Sequence, residues 1–334
     1  MPKIKKLVNN PNDCAAELLD GLVLAYDGAA RKVGRGSIVM NNLPAGKVGL
    51  LVGGGSGHEP IYHGLVGQNF ADGAACGDIF AAPPPDIVLE AAQAVHQGKG
   101  VLFLYGNYAG DVLNFDMGAE LAAEEGIETK TILIWDDVAS APPDKKHDRR
   151  GIAGLVLIVK IAGAAAATVD SLDELVRIVT KARDNTRSVG CAMAPGSIPA
   201  TGHPTFILNE DEIGLGMGIH GEKGVALLPM QTAAELTPKL LDVVFGDDLP
   251  FEAGDEVVLL VNSLGSTTMM ELLIVLKEAR TILDARGIKV HKTLVGPYVT
   301  CQEMAGISLS LLKLDDELKR FWDMPCSSVC YSQM

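Results

Sequence analysis

Along the first half of the chain, short uninterrupted apolar runs alternate with stretches whose apolar residues return at helical spacing. The first such run, 47–52, stops in LLVGGGSGHEP at 50–60, which predicts a buried strand feeding a tight loop poor in side chains. Gly53, Gly54, Gly55 and Gly57 permit positive φ and let a ligand lie against backbone N–H groups, with a helix starting near Pro60. A helix is predicted over 13–26. A second small-residue loop at 73–80 leads through Pro83, Pro84 and Pro85 into a helix over 86–97. A strand over 100–106 opens into NYAGD, followed by a helix over 112–125, and a strand over 130–135 ends in Asp136 and Asp137. The apolar stretch 151–169 reads as a buried helix.

This order predicts a mostly parallel sheet with helices on both faces, its ligands gathered at the carboxyl ends of the strands. A helix over 171–185 opens on a capping box, Ser171 to Glu174, and its end marks a domain boundary. Beyond it, strands are predicted over 188–193, 204–208, 256–262, 288–295 and 307–312. Helices are predicted over 231–245 and 267–286, the latter stopped by Gly287. The expectation is an α/β protein of two α/β domains. Residues 1–185 carry the mostly parallel sheet and the glycine-rich substrate loop, and residues 186–334 carry a mixed sheet.

Composition narrows the partners. The chain has 334 residues and a net charge of −14, from 42 acidic against 28 basic side chains. That balance repels phosphate backbones and anionic membranes, so neither nucleic acid nor membrane is expected as a partner. The first residues contain Lys3, Lys5 and Lys6 but no apolar signal core, and the six cysteines are scattered, so a cytoplasmic protein with reduced thiols is expected. Lys160 interrupts 151–169, which argues against a membrane span.

Spacing tests the chemistry of the glycine loop. A nucleotide P-loop needs Lys-Ser/Thr after its last glycine, and here His58 and Glu59 follow. A hydrolase elbow needs glycine where His58 stands, and a zincin helix is broken by Pro60 between His58 and His63. His58 by itself would be read as a histidine that ties down its loop. Asp111, however, also closes a loop at the end of a parallel strand, where it serves equally as a helix N-cap or as a base. His220 lies in a shaped loop among Gly214, Gly216, Gly218, Gly221 and Gly224, with Glu222 beside it. Asp136 and Asp137 are expected to pair with Arg149 or Arg150 rather than to bind metal, and no metal site is predicted.

GGGSGHEP at 53–60, NYAGDVLNF at 107–115, DDVA at 136–139, RRGIAG at 149–154 and GIHGEKG at 218–224 together resemble the substrate-binding subunit of dihydroxyacetone kinases. The resemblance extends from near residue 4 to LLKLDDELKRFWDMP at 311–325. It implies that His220 forms a covalent hemiaminal with the carbonyl of a short-chain ketose, as in the glycerone kinases of glycerol metabolism. By the same resemblance, His58 and Asp111 assist that step and take the proton from the terminal hydroxyl. Gly54, Gly55, Ser56, Gly106 and Asn107 are the expected substrate-binding positions.

The resemblance further implies a homodimer with no cofactor on this chain. Mg-ATP or Mg-ADP belongs to a separate helical nucleotide-binding kinase subunit, with either ATP or a phosphohistidine protein of the sugar phosphotransferase system as phosphoryl donor. Gly106 and Ala109 replace the family's lysine and threonine, and Ala82 replaces a common serine. Contacts are thereby lost and space gained, so a larger ketose such as erythrulose is an alternative substrate. A second alternative is a non-catalytic ketose-binding paralogue that serves as co-activator of a transcription regulator.

Overall fold

The computed structural model describes residues 5–334. In chain order its elements are α1 (Cys14–Ala25), β1 (Ala30–Val33), β2 (Ser37–Met40), β3 (Gly49–Ser56), β4 (Gly67–Gln68), β5 (Gly73–Ile79), α2 (Pro85–Val95), β6 (Val101–Gly106), α3 (Ala109–Glu124), β7 (Thr129–Ile134), α4 (Gly154–Ala166) and α5 (Leu172–Asp184). Then follow β8 (Thr186–Ala194), β9 (Glu212–Leu215), β10 (Ala226–Pro229), α6 (Ala233–Phe245), β11 (Glu256–Ser263), α7 (Met269–Ala285), β12 (Lys289–Gly296) and β13 (Ala305–Leu314). The chain ends with α8 (Asp316–Trp322), β14 (Cys326–Ser328) and β15 (Ser332–Gln333).

Two compact units result. One comprises Lys6–Ile134, Ile158–Ala182 and Glu317–Met334, the other Trp135–Leu157 and Arg183–Asp316. A cut at 185/186 separates the two large sheets, but the units are interleaved in sequence, and side-chain chemistry accounts for it. Segment 135–157 is tied into the second unit by the Arg149–Asp247 ion pair at 2.6 Å and by the bridge of Asp137 to Ser188. The C-terminal segment is tied into the first unit, where β14 pairs antiparallel with β4 and the buried Lys160 donates to the carbonyls of Phe321 and Met324.

In the first unit the strands run β1-β2-β5-β3-β6-β7. The pairs β5–β3, β3–β6 and β6–β7 are parallel, while β1–β2 and β2–β5 are antiparallel. Leu51, Phe103 and Tyr105 pack with Val88, Ala91 and Val95 of α2 and with Phe115 of α3. The alternating residues Leu50, Val52, Leu102 and Leu104 are fully buried as well, so both sheet faces are covered, as a parallel sheet requires. The second unit has the order β10-β9-β8-β13-β11-β12 and is mixed, with only β11–β12 parallel. Its helices start as their sequences demand: Thr232 with Glu235 and Thr268 with Glu271 form capping boxes.

Four expectations change. The glycine loop is no loop through Ser56: residues 53–56 continue β3, because β5 pairs with Gly53, Gly54 and Ser56, while β6 pairs only as far as Gly53. Residues 73–79 are β5 rather than a loop, and their small side chains let α2 pack closely, a Cβ on Gly73 standing only 2.7 Å from Val95 Cγ1. No helix begins near Pro60, where the chain makes a short 3₁₀ turn at His63–Leu65 instead. Residues 204–208 form no strand, Pro204 making only an isolated bridge to Ser197.

Every residue of α4 is buried, and its start is anchored by Asp136, whose carboxylate accepts from the N–H groups of Ile152 and Gly154, each at 2.8 Å. Among the described residues no helix is long and apolar enough to cross a membrane. Within α4, a Cβ on Gly163 would overlap the backbone N, Cα and O of Phe70. Helix propensity favours alanine over glycine by ~1 kcal/mol, whereas forcing a methyl into packed backbone costs about 1–3 kcal/mol or more. Gly163→Ala is therefore expected to lower the urea unfolding midpoint, and a raised midpoint would show that this contact yields.

Candidate active site

The first unit brings the ends of β3 and β6 side by side, Gly53 paired with Tyr105 in parallel register. Gly54, Gly55, Ser56, Gly106 and Asn107 thus share one edge of the sheet. The absence of side chains there is a steric requirement: a Cβ on Gly54 would overlap the ring of Tyr62, and one on Gly55 would stand 2.8 Å from the backbone N of Ala81. Ser56 is buried, and its hydroxyl donates to the Gly77 carbonyl at 2.7 Å, binding β3 to β5.

His58 is 1% exposed, and its ring lies 4.9 Å from that of Phe80, tilted by 42°. The turn before it is held by Glu59, which accepts from Gly57 N at 2.7 Å and faces His63 Nε2 at 3.6 Å. Behind, His63 Nδ1 lies 3.1 Å from Cys76 Sγ. Burial lowers the His63 pKa, opposed by Glu59, and raises that of the Cys76 thiol, so the pair is neutral imidazole and thiol. The result is a fixed loop carrying one imidazole at the strand end.

Asp111 sits in the first turn of α3 and is 8% exposed. Tyr108, not Asp111, occupies the N-cap position, because Asn107 N is engaged by the Ile134 carbonyl and the helix starts one turn earlier than the apolar spacing predicts. The carboxylate lies inside the positive end of the helix, where a negative charge is stabilised. Gly106, without a side chain, is not open space: a Cβ there would meet the Tyr108 ring at 3.1 Å and the Tyr62 hydroxyl at 3.4 Å. Aromatic atoms fill the room expected at this position. Ala82 faces the start of α3, 3.5 Å from where a Cβ on Gly110 would stand.

His220 is carried by the second unit, in a loop with positive φ at Gly216 (73°) and Gly221 (84°). Glu222 grips it twice: Oε1 lies 2.9 Å from His220 Nδ1, and Oε2 accepts from His220 N at 3.0 Å. Burial raises the Glu222 pKa, but the hydrogen bond from His220 opposes it and the carboxyl is held down to about 2. An ionised Glu222 can only accept, so Nδ1 carries the proton and the imidazole lone pair is at Nε2.

Asp137 and Arg150 pair at 2.8 Å, one of the alternatives read from the sequence, while Asp136 takes backbone donors instead. Tyr62, Tyr108, Glu222 and Arg150 were not among the predicted site residues. Glu222 had a local signal, its two-residue spacing from His220 across a glycine; Arg150 was expected only as a partner of Asp136 or Asp137, and Tyr62 and Tyr108 have no signal.

The chain is similar to the dihydroxyacetone-binding subunit of a PTS-dependent dihydroxyacetone kinase from Listeria innocua, 41% identical over 331 residues, covering 97% of this chain and 98% of that protein. It is 39% identical to an L-erythrulose 1-kinase of Mycolicibacterium smegmatis, over 97% of this chain and 57% of that protein. Among solved structures, the dihydroxyacetone kinase operon co-activator Dha-DhaQ superposes with a TM-score of 0.88 at 31% identity, covering 94% of this chain and 97% of that chain. The model of the Dak1 domain matches residues 20–330, and with relatives of this identity along nearly its whole length the chain belongs to the Dak1 family.

Proposed function

We propose that this chain is the ketose-binding subunit of a dihydroxyacetone-type kinase and holds its substrate as a hemiaminal on His220. The observation that carries the reading is the His220–Glu222 pair at 2.9 Å, which directs the imidazole lone pair to Nε2. In the proposed step Nε2 attacks the ketose carbonyl carbon, a C–N bond forms, the C=O π pair moves onto oxygen, that oxygen takes a proton from solvent, and the imidazolium so formed gives its Nδ1 proton back to solvent. A polyol without a carbonyl offers nothing to attack, so the bond selects ketoses. Asp111 then takes the proton of the terminal hydroxyl as it accepts the phosphoryl group, with His58 assisting. Phosphoryl transfer asks little more of the protein than position and charge.

The phosphoryl donor in this reading is a Mg-nucleotide on a separate helical subunit, either ATP or ADP recharged by the phosphotransferase system. The name of the Listeria relative, a PTS-dependent kinase subunit, supports the second route. The name of the mycobacterial relative, an L-erythrulose 1-kinase, favours erythrulose as the alternative ketose. Similarity to the co-activator favours a non-catalytic role as the other alternative. A sensor needs His220 but has less use for Asp111, which weighs toward catalysis.

Carbonyl-labelled dihydroxyacetone mixed with the protein is expected to give a tetrahedral-carbon NMR signal that vanishes in His220→Ala; free ketone alone in the wild type sends the experiment to erythrulose. Asp111→Asn is expected to keep that signal while reducing ketose phosphorylation with a nucleotide-bearing partner subunit by about 10²–10⁴-fold, the usual share of a general base. No turnover in the wild type with any such partner favours the co-activator reading.

A further inference from the structure

Three of the sequence motifs, DDVA, RRGIAG and GIHGEKG, converge on one guanidinium. Arg150 Nε and Nη2 contact Asp137 Oδ2 at 3.0 and 2.8 Å, and Nη2 also donates to the Gly216 carbonyl at 2.8 Å. Its Nη1 lies 3.9 Å from Glu222 Oε2, the oxygen that also accepts from His220 N. We infer that Arg150, anchored by Asp137, is a positioning residue for His220: it fixes the start of the His220 loop and flanks the carboxylate that sets the His220 tautomer.

A plain structural ion pair would need Arg150 and Asp137 alone. The loop, however, is shaped around the guanidinium. A Cβ on Gly218 would overlap the Glu222 carboxylate and stand 2.6 Å from Arg150 Nη1, so the ends of both side chains close on the backbone in the space that glycine leaves. On the other side, a Cβ on Gly216 would lie 2.7 Å from Ala139 Cβ, and Ala139 N in turn donates to Asp137 Oδ1 at 3.2 Å. Asp137 therefore holds both walls of the loop start, Arg150 through one oxygen and Ala139 through the other. The planar fork of arginine reaches a carboxylate and a carbonyl together, which a lysine ammonium on the same stem does not reproduce.

The functional meaning of this clamp rests on the ketose reading, but its first test does not. Nitrogen NMR of ring-labelled histidine in the full chain, with the His220 signals assigned by their loss in His220→Ala, reads the tautomer without ketose. The wild type is expected to show the Nδ1–H form alone, and Arg150→Gln a mixture of tautomers. With carbonyl-labelled dihydroxyacetone, adduct at fixed ketose is expected to fall about 10- to 100-fold in Arg150→Gln, the usual cost of loosening a supporting shell. Arg150→Lys is expected to restore little of it.

Unchanged tautomer and unchanged adduct in Arg150→Gln overturn the inference, as does a lowered melting temperature with His220 unaltered. Should Arg150→Gln not fold, Asp137→Asn, which removes the anchor and keeps its shape, is expected to move both readouts in the same direction, and no movement overturns the inference. A tautomer shift in a protein whose wild type forms no adduct leaves the clamp standing and sinks the ketose reading.

Discussion

The strand edge of the first unit depends on a steric constraint at the end of β3, where backbone must approach backbone with no side chain between. A Cβ on Gly53 would overlap the Ala75 carbonyl and stand 2.6 Å from the Phe115 ring, and Gly54 and Gly55 are hemmed in by Tyr62 and Ala81. Positive φ is needed only at Gly54 and Gly57 among the glycines of 53–57, so the geometry of the run is fixed mainly by crowding and not by flexibility. Close packing turns this into rigidity, because the neighbours of a side-chain-free strand end cannot shift without opening voids. A ligand meeting that edge meets fixed backbone, which holds orientation at little entropic cost.

The same constraint explains what could be read from the sequence. Strands β6, β7, β11 and β13 and helices α6 and α7 were visible because burial on one stripe or both faces leaves a periodic signal. The run 53–56 and the segment 73–79 were read as loops because glycine normally punctuates chains; what kept them in strands was pairing to distant neighbours, which leaves no local trace. The β1–β2 hairpin escaped because Arg31 and Lys32 sit within a four-residue strand and obscure its alternation. His58, Asp111 and His220 are picked out as candidates by the sequence, each marking a strand end or a glycine-dense loop. Arg150 is legible as an ion-pair partner of Asp137 but not as a neighbour of His220, since Gly216 and Glu222 lie far along the chain.

Charge placement follows burial in the second unit. Asp247 lies buried between Arg149 and Arg187, and the Arg187 guanidinium also lies 5.5 Å from the Trp135 ring centroid. Removing one partner of such a set strands a buried charge, which costs far more than a surface pair contributes. Asp136 and Asp137 are adjacent yet serve different ends. Burial raises both carboxyls above the usual range, Asp137 to about 7, where Arg150 pulls against burial and the neighbouring Asp136 pushes with it. A carboxyl raised in this way favours the fold below its unfolded pKa and loses that contribution as pH rises toward 7, so the Asp137–Arg150 pair is maintained against the protein's own desolvation.

On the ketose reading, that pair stands beside a nucleophile. A short ketose offers few atoms for recognition, and even the best small ligands gain only about 1.5 kcal/mol per atom, much of it offset by lost freedom on binding. Hydrogen bonds from a glycine-lined edge distinguish a ketose poorly from a polyol of the same length, since both present the same terminal hydroxyls. A C–N bond at the carbonyl separates them absolutely, but only if the imidazole presents a lone pair in one direction. The demand for selectivity on a small substrate is thereby transferred to the geometry of His220, and from there to Glu222, whose carboxylate must stay ionised and aimed. On this reading the second unit places the Asp137–Arg150 pair beside the His220 loop because the direction of one lone pair is the quantity being controlled.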